Sequence, residues 1–157
     1  METLHTIRKW LDRIVGTICI LLFALMVVVG SYQIITRFIF NNPSTISEEL
    51  LTYSFAWMAM FATAYVFGKR DHMRMTFVVD KLAPAQRKVL EIVLEVLVIA
   101  FAAIVLIYGG FNIMGLTMTQ KTASLGVMMG QVYAVVPISG ILIAIYGILN
   151  VVDLCKG

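Results

Sequence analysis

Four long stretches of this chain, residues 14–36, 50–68, 96–120 and 122–152, contain no Asp, Glu, Lys, Arg or His. The charged side chains fall at the margins of these stretches and in the connections between them. Each stretch reaches the roughly 20 apolar residues with which a helix crosses about 30 Å of hydrocarbon. The pattern predicts an all-α integral membrane protein, one membrane domain over residues 1–157 with transmembrane helices near 14–36, 50–68, 96–118 and 128–152. The flanks carry a different period. Leu4, Ile7, Leu11 and Ile14 recur at spacings of three and four, with Arg8, Lys9, Asp12 and Arg13 between them. That predicts an interfacial amphipathic helix over 3–13, with Trp10 suited to the membrane surface. A second interfacial segment is expected over 73–95. Met75, Phe77, Val78, Val79 and Leu82 alternate there with Arg74, Asp80 and Lys81, and Pro84 sits where a helix start tolerates it.

Composition sharpens the class. A chain of 157 residues that is 61% hydrophobic and 13% charged is anomalous as a soluble globular domain. Pumps and proton relays keep ionisable groups inside the membrane, and these spans have no charged residue. The expectation is a subunit that works through its shape and its partners, not an enzyme, with no catalytic, cofactor or metal site. The net charge of +3 reflects basic residues set beside spans, among membrane lipids, and predicts no nucleic-acid partner. Cys19 and Cys155 form no CxxC, and His5 and His72 both lie outside the spans, so a membrane redox protein built on paired histidines is excluded. The first apolar run is long for a signal-peptide core and lacks an A-x-A site, so it is expected to be a retained span.

Lys and Arg set the expected orientation. Arg8, Lys9, Arg13, Lys69, Arg70, Arg74, Lys81, Arg87, Lys88 and Lys156 fall on one side, and only Arg37 and Lys121 on the other. Both termini are therefore expected in the cytoplasm and the turns near 41–49 and 119–126 outside.

Candidate contact residues fall in three groups. In the outer turn, Asn41-Asn42-Pro43 stops the first helix. Thr45-x-x-Glu48 then has capping-box spacing, and Glu48 and Glu49 sit where a helix dipole favours anions. Arg37 is placed to pair with either acid or to snorkel to the headgroups. Within the spans, small and polar residues are the candidates for helix packing: Gly109, Asn112, Gly115, Ser139, Gly140 and Gly147. Thr63 joins Asn112 and Ser139 as a possible donor across helices, Gly126 and Gly130 form a GxxxG, and Pro137 should bend the last span. On the cytoplasmic side, His72, Arg74, Arg87, Glu91 and Glu95 mark either a solvated face or a partner contact, the last three lining one helix face.

Several of these runs occur in a known order. Arg37-Phe38-Ile39-Phe40-Asn41, Ser47-Glu48-Glu49-Leu50, Arg70-Asp71-His72-Met73 and the later Leu125-Gly126 with Tyr133-Ala134-Val135-Val136-Pro137 follow one another. Together they resemble the DctQ-like small membrane subunit of tripartite ATP-independent periplasmic (TRAP) transporters. Ile46 stands where an aromatic is frequent in that family, and Thr63 where a glycine is common. The resemblance implies a scaffold subunit in the bacterial inner membrane, part of an ion-coupled, sodium-driven importer of an organic anion such as a sialic acid or C4-dicarboxylate. It implies two partners: the large multi-span transport subunit and a periplasmic substrate-binding protein. A different class, a self-contained four-span transporter acting as a homodimer, would need an acid at the membrane, for which Glu91 and Glu95 are the candidates.

Overall fold

The computed structural model describes residues 2–69 and 84–156. Among them, four helices are long and apolar enough to cross a membrane, over Thr6–Phe38, Thr45–Lys69, Gln86–Thr117 and Met129–Leu154. The first lies in α1 (Glu2–Phe38) and the second is α2 (Thr45–Lys69). The third is built of α3 (Pro84–Phe101), a π-helical segment (Ala102–Gly109) and α4 (Gly110–Thr117). The fourth is a short α5 (Met129–Tyr133) followed by α6 (Val135–Lys156).

The amphipathic stretch expected over 3–13 is helical and continuous with the first span. No proline falls between Leu4 and Ile14, and α1 runs through the membrane margin as one rod of 37 residues. At 1.5 Å per residue it is about 55 Å long. Of the second interfacial segment, 73–83 lies outside the described residues, and 84–95 continues without a break into the third span. Helix α1 ends where Asn41 takes a positive φ of 49°, which brings the Asn42 N–H back to the Thr36 carbonyl at 3.0 Å.

The fourth span is the hub. Half of its most apolar stretch is buried, against 6% in the first and third spans, which lie at the edges. It packs on α2 on one side and on α3 and the π segment on the other, while α1 lies along α2. One apolar cluster joins Val15, Phe61 and Val135 with Ile18, Leu22 and Trp57 around them; a second joins Ala64, Ala102 and Ile143.

Lipid offers no hydrophobic force between helices, so close backbone approach carries much of the packing. Glycines of the fourth span supply it. A Cβ on Gly140 would lie 2.7 Å from Leu106 Cβ, and one on Gly147 would lie 2.6 Å from Ile99 Cγ1. Pro137 falls in the first turn of α6, just after the chain breaks helix at Ala134, so the break precedes the ring. The ring sits against Gly110, where a Cβ would meet Pro137 Cδ at 2.8 Å.

Candidate functional site

Two polar assemblies tie the helices together, one at each end. At the end away from the chain termini, Ser44 caps α2: its Oγ accepts from the Ser47 N–H at 3.4 Å, and its carbonyl accepts from the Ser47 hydroxyl at 2.8 Å. The helix begins at Thr45, so the cap lies one residue earlier than the Thr45-x-x-Glu48 spacing suggests. Glu48 therefore closes no capping box. Its N–H donates to the Ser44 carbonyl at 3.3 Å, and its carboxylate is exposed.

Glu49 has the larger part. Its Oε2 accepts from the Leu125 N–H at 2.7 Å and the Ser124 N–H at 2.8 Å; its Oε1 accepts from the Ala123 N–H at 3.0 Å and the Tyr53 hydroxyl at 2.9 Å. Three successive backbone donors thus form a concave nest for one carboxylate. The loop they belong to is held on its own account. Thr122 N–H donates to the Val127 carbonyl at 2.8 Å, Met129 N–H to the Gln120 carbonyl at 2.8 Å, and Val127 N–H to Thr122 Oγ1 at 3.1 Å. Gly126 closes the turn at φ 68°, a left-handed conformation that a side chain would strain. So Gly126 and Gly130 are not a helical GxxxG: the first makes a turn, and the second lets α5 approach the Met114 carbonyl. About two helical turns beyond Glu49 along α2, Trp57 Nε1 donates to the Val132 carbonyl at 2.9 Å. Arg37 stands apart from both acids. Its guanidinium lies 6.0 Å from the ring of its neighbour Phe38, and it makes no ion pair with Glu48 or Glu49.

At the end that carries the chain termini, the centre is Asn150, 1% exposed. Its Oδ1 accepts from Arg8 at 2.6 Å; its Nδ2 donates to Glu95 Oε1 at 3.1 Å and to the Phe67 carbonyl at 3.4 Å. One side chain of the fourth span thereby meets a group from each of the other three. Arg8 also pairs with Asp153 at 3.0 Å. One turn deeper, the buried Tyr146 donates to Asp12 at 2.8 Å, its ring filling the space that Gly68 leaves open on α2.

The sequence-derived candidates separate into those turned inward and those turned out. Ser139, Gly140 and Gly147 are buried within the helix assembly. Gly115 is exposed, with nothing within 4 Å of where its Cβ would be, and Asn112 is exposed beside it. A Cβ on Gly109 would meet only the Ile104 carbonyl of its own span, at 3.8 Å. None of the three polar residues expected to bond across helices does so among the described residues of this chain. Ser139 donates to Val136 and Thr63 to Ala59, both on their own helix, and Asn112 makes no hydrogen bond among the described residues. Short hydroxyl side chains satisfy themselves on the preceding turn more readily than across a gap. Arg87 and Glu91 pair at 3.3 Å along α3, while Glu95 turns inward to Asn150. His72 and Arg74 lie outside the described residues.

Asn150, Arg8, Asp12, Tyr146 and Asp153 were not singled out from the sequence as a site. A signal was present: an asparagine near the end of the last uncharged stretch, three residues before Asp153.

Residues 26–157 match the family model described as the DctQ component of tripartite ATP-independent periplasmic transporters. The chain is 27% identical over 158 residues to the sialic acid TRAP transporter small permease protein SiaQ of Vibrio cholerae, covering 98% of this chain and 88% of that protein. It is 23% identical over 141 residues to a TRAP transporter small permease protein of Haemophilus influenzae, covering 90% of this chain and 87% of the relative. A third relative is longer: 98 residues align at 26% identity with the sialic acid TRAP transporter permease protein SiaT of Haemophilus influenzae, covering 62% of this chain but 15% of that one.

Proposed function

The chain belongs to the DctQ component of tripartite ATP-independent periplasmic transporters, and from that premise we propose that it is the static scaffold of an ion-coupled importer of an organic anion. In this reading it lies in the bacterial inner membrane with both termini in the cytoplasm, as the lopsided Lys and Arg distribution favours. It binds the large transport subunit, which carries the sodium-coupled path, and offers its outer loops to a periplasmic substrate-binding protein. The naming of relatives for sialic acid supports that substrate class, with C4-dicarboxylates as the other candidate.

The observation that carries the scaffold role is the pair of polar assemblies at the two ends. Spans clamped at one end through Asn150 and at the other through Glu49 make a rigid body suited to standing still while a partner moves. Coupled uptake needs an ionisable group that loads and releases, and the two candidate acids, Glu91 and Glu95, are engaged by Arg87 and Asn150.

Reconstitution tests the assignment. Proteoliposomes holding this chain, the large permease and the binding protein should accumulate sialic acid or a dicarboxylate under an inward sodium gradient. Omitting any one should abolish accumulation. Gradient-driven uptake by this chain alone would overturn the scaffold reading in favour of a self-contained transporter.

A further inference from the structure

Tyr108 and Asn112 stand one turn apart on the third span, with Gly115 following at the next turn on the same face. Tyr108 is 69% exposed, Asn112 and Gly115 are exposed, and neither polar side chain has a hydrogen-bond partner among the described residues. Their depth makes this costly. Asn112 lies five residues and Tyr108 nine residues before the helix end at Thr117, about 8 Å and about 14 Å inside it. Facing lipid and set back from the helix end, an amide and a phenol find few hydrogen-bond partners. Exposed hydroxyls of the spans such as Thr17, Ser31, Thr52 and Thr63 are returned to their own helix, to Arg13, Val27, Glu48 and Ala59. Asn112 has no such recourse, because its amide is not held by the preceding turn. The open ground at Gly115 lies beside it, where another backbone can approach.

We propose that this face of the third span, centred on Asn112, is where a transmembrane helix of the large permease docks, its polar groups completing the amide and the phenol. The inference rests on the scaffold reading and adds the contact face to it. The choice of occupant comes from the longer relative, in which a stretch similar to 62% of this chain is 15% of one permease polypeptide. A fold carried inside a permease chain has a permease helix as its standing neighbour.

Site-specific photo-crosslinking tests it. Benzoylphenylalanine is placed at Leu116, 77% exposed at the edge of this face, or at Val28, 68% exposed on the first span, in a chain co-expressed with its large permease. The expected result is an adduct with the large permease, identified by mass spectrometry, from position 116 and none from position 28. Asn112→Leu should lower the permease recovered with the chain by about threefold, the scale of one interhelical hydrogen bond in a membrane. Gly115→Leu should lower it further, and neither substitution should lower the thermal stability of this chain alone. An adduct of twice the mass of this chain would make the face a contact between two copies and overturn the proposal. So would adducts from position 28 only, or adducts with lipid alone. If the unaltered chain recovers no permease at all, the scaffold reading itself fails, a result distinct from recovery through another face.

Discussion

Replacing Gly140 by alanine should destabilise this protein, whereas the same change at Gly115 should stabilise it. Both glycines sit in spans, and helix propensity favours the alanine at each by about 0.5–1 kcal/mol. The surroundings reverse the sign at one of them. A Cβ on Gly140 would lie 2.7 Å from Leu106 Cβ, 3.0 Å from Ile107 Cγ1 and 3.2 Å from the Ile107 nitrogen. Carbon atoms rest at about 3.5–4.0 Å, so the third and fourth spans would have to part by about 1 Å. Leu106 Cβ and the Ile107 nitrogen belong to the backbone or adjoin it, so no rotamer change clears them. Overpacking of this kind costs about 1–3 kcal/mol, which leaves Gly140→Ala less stable by up to about 2.5 kcal/mol after the propensity gain, centred on about 1 kcal/mol. At Gly115 nothing lies within 4 Å, and the gain of about 0.5–1 kcal/mol stands alone. Reversible unfolding of the purified chain in mixed micelles, followed by Trp57 fluorescence with Trp10 replaced by Phe, reads both. Trp57 is a fit reporter because its indole is held on Val132 within the apolar cluster. A Gly140→Ala variant as stable as the parent would refute the argument that the two spans meet at this glycine.

Three further outcomes are expected. Asn150→Leu removes the bonds to Arg8 and Glu95, each to a charged group, and should cost about 2–4 kcal/mol, somewhat eased because Arg8 keeps Asp153; a loss below about 0.5 kcal/mol in the same unfolding assay counts against Asn150 as a hub. Glu49→Gln turns an amide NH2 toward backbone donors, so amide hydrogen exchange at Ala123, Ser124 and Leu125 should speed up, while Glu48→Gln should leave it unchanged; equal behaviour of the two variants contradicts the nest. A cysteine in place of Asn42 should react with an impermeant maleimide in intact cells and one in place of Gln86 should not, and the reverse pattern would show the opposite orientation.

The sequence displays the four spans because the membrane imposes a composition that hydropathy reads directly, and because each charged residue set at a margin marks an end. The inner contacts were legible in kind but not in place. Gly140 and Gly115 are alike in sequence, and only the position of the third span relative to the fourth makes one a contact and the other open ground. Glu49 looked like a helix-start residue beside Glu48, since local spacing carries no information about a loop more than seventy residues away. Asn150 was hidden by its own merit: an uncharged side chain passes as part of a dry span, and its role depends on Arg8, Phe67 and Glu95 arriving at one depth from three other helices. The capping assignment failed by a single residue, since Ser44 and Thr45 both carry a hydroxyl and the backbone chose the first.

The position of Asn150 also orders the assembly in time. A ribosome delivers Arg8, Phe67 and Glu95 to the membrane before the asparagine that joins them, and Glu49 emerges before the amides of residues 123–125 that receive it. During synthesis the first three helices therefore sit with their ends unlatched, and Asn150 is the last of the four groups to appear. A chain interrupted within the fourth span leaves Arg8 without its amide acceptor, Asp12 without the Tyr146 hydroxyl and Gly68 facing an empty slot. Such a chain is expected to be digested faster by membrane proteases than the finished one. Completion of the fourth span is in this way expected to set the chain's resistance to degradation.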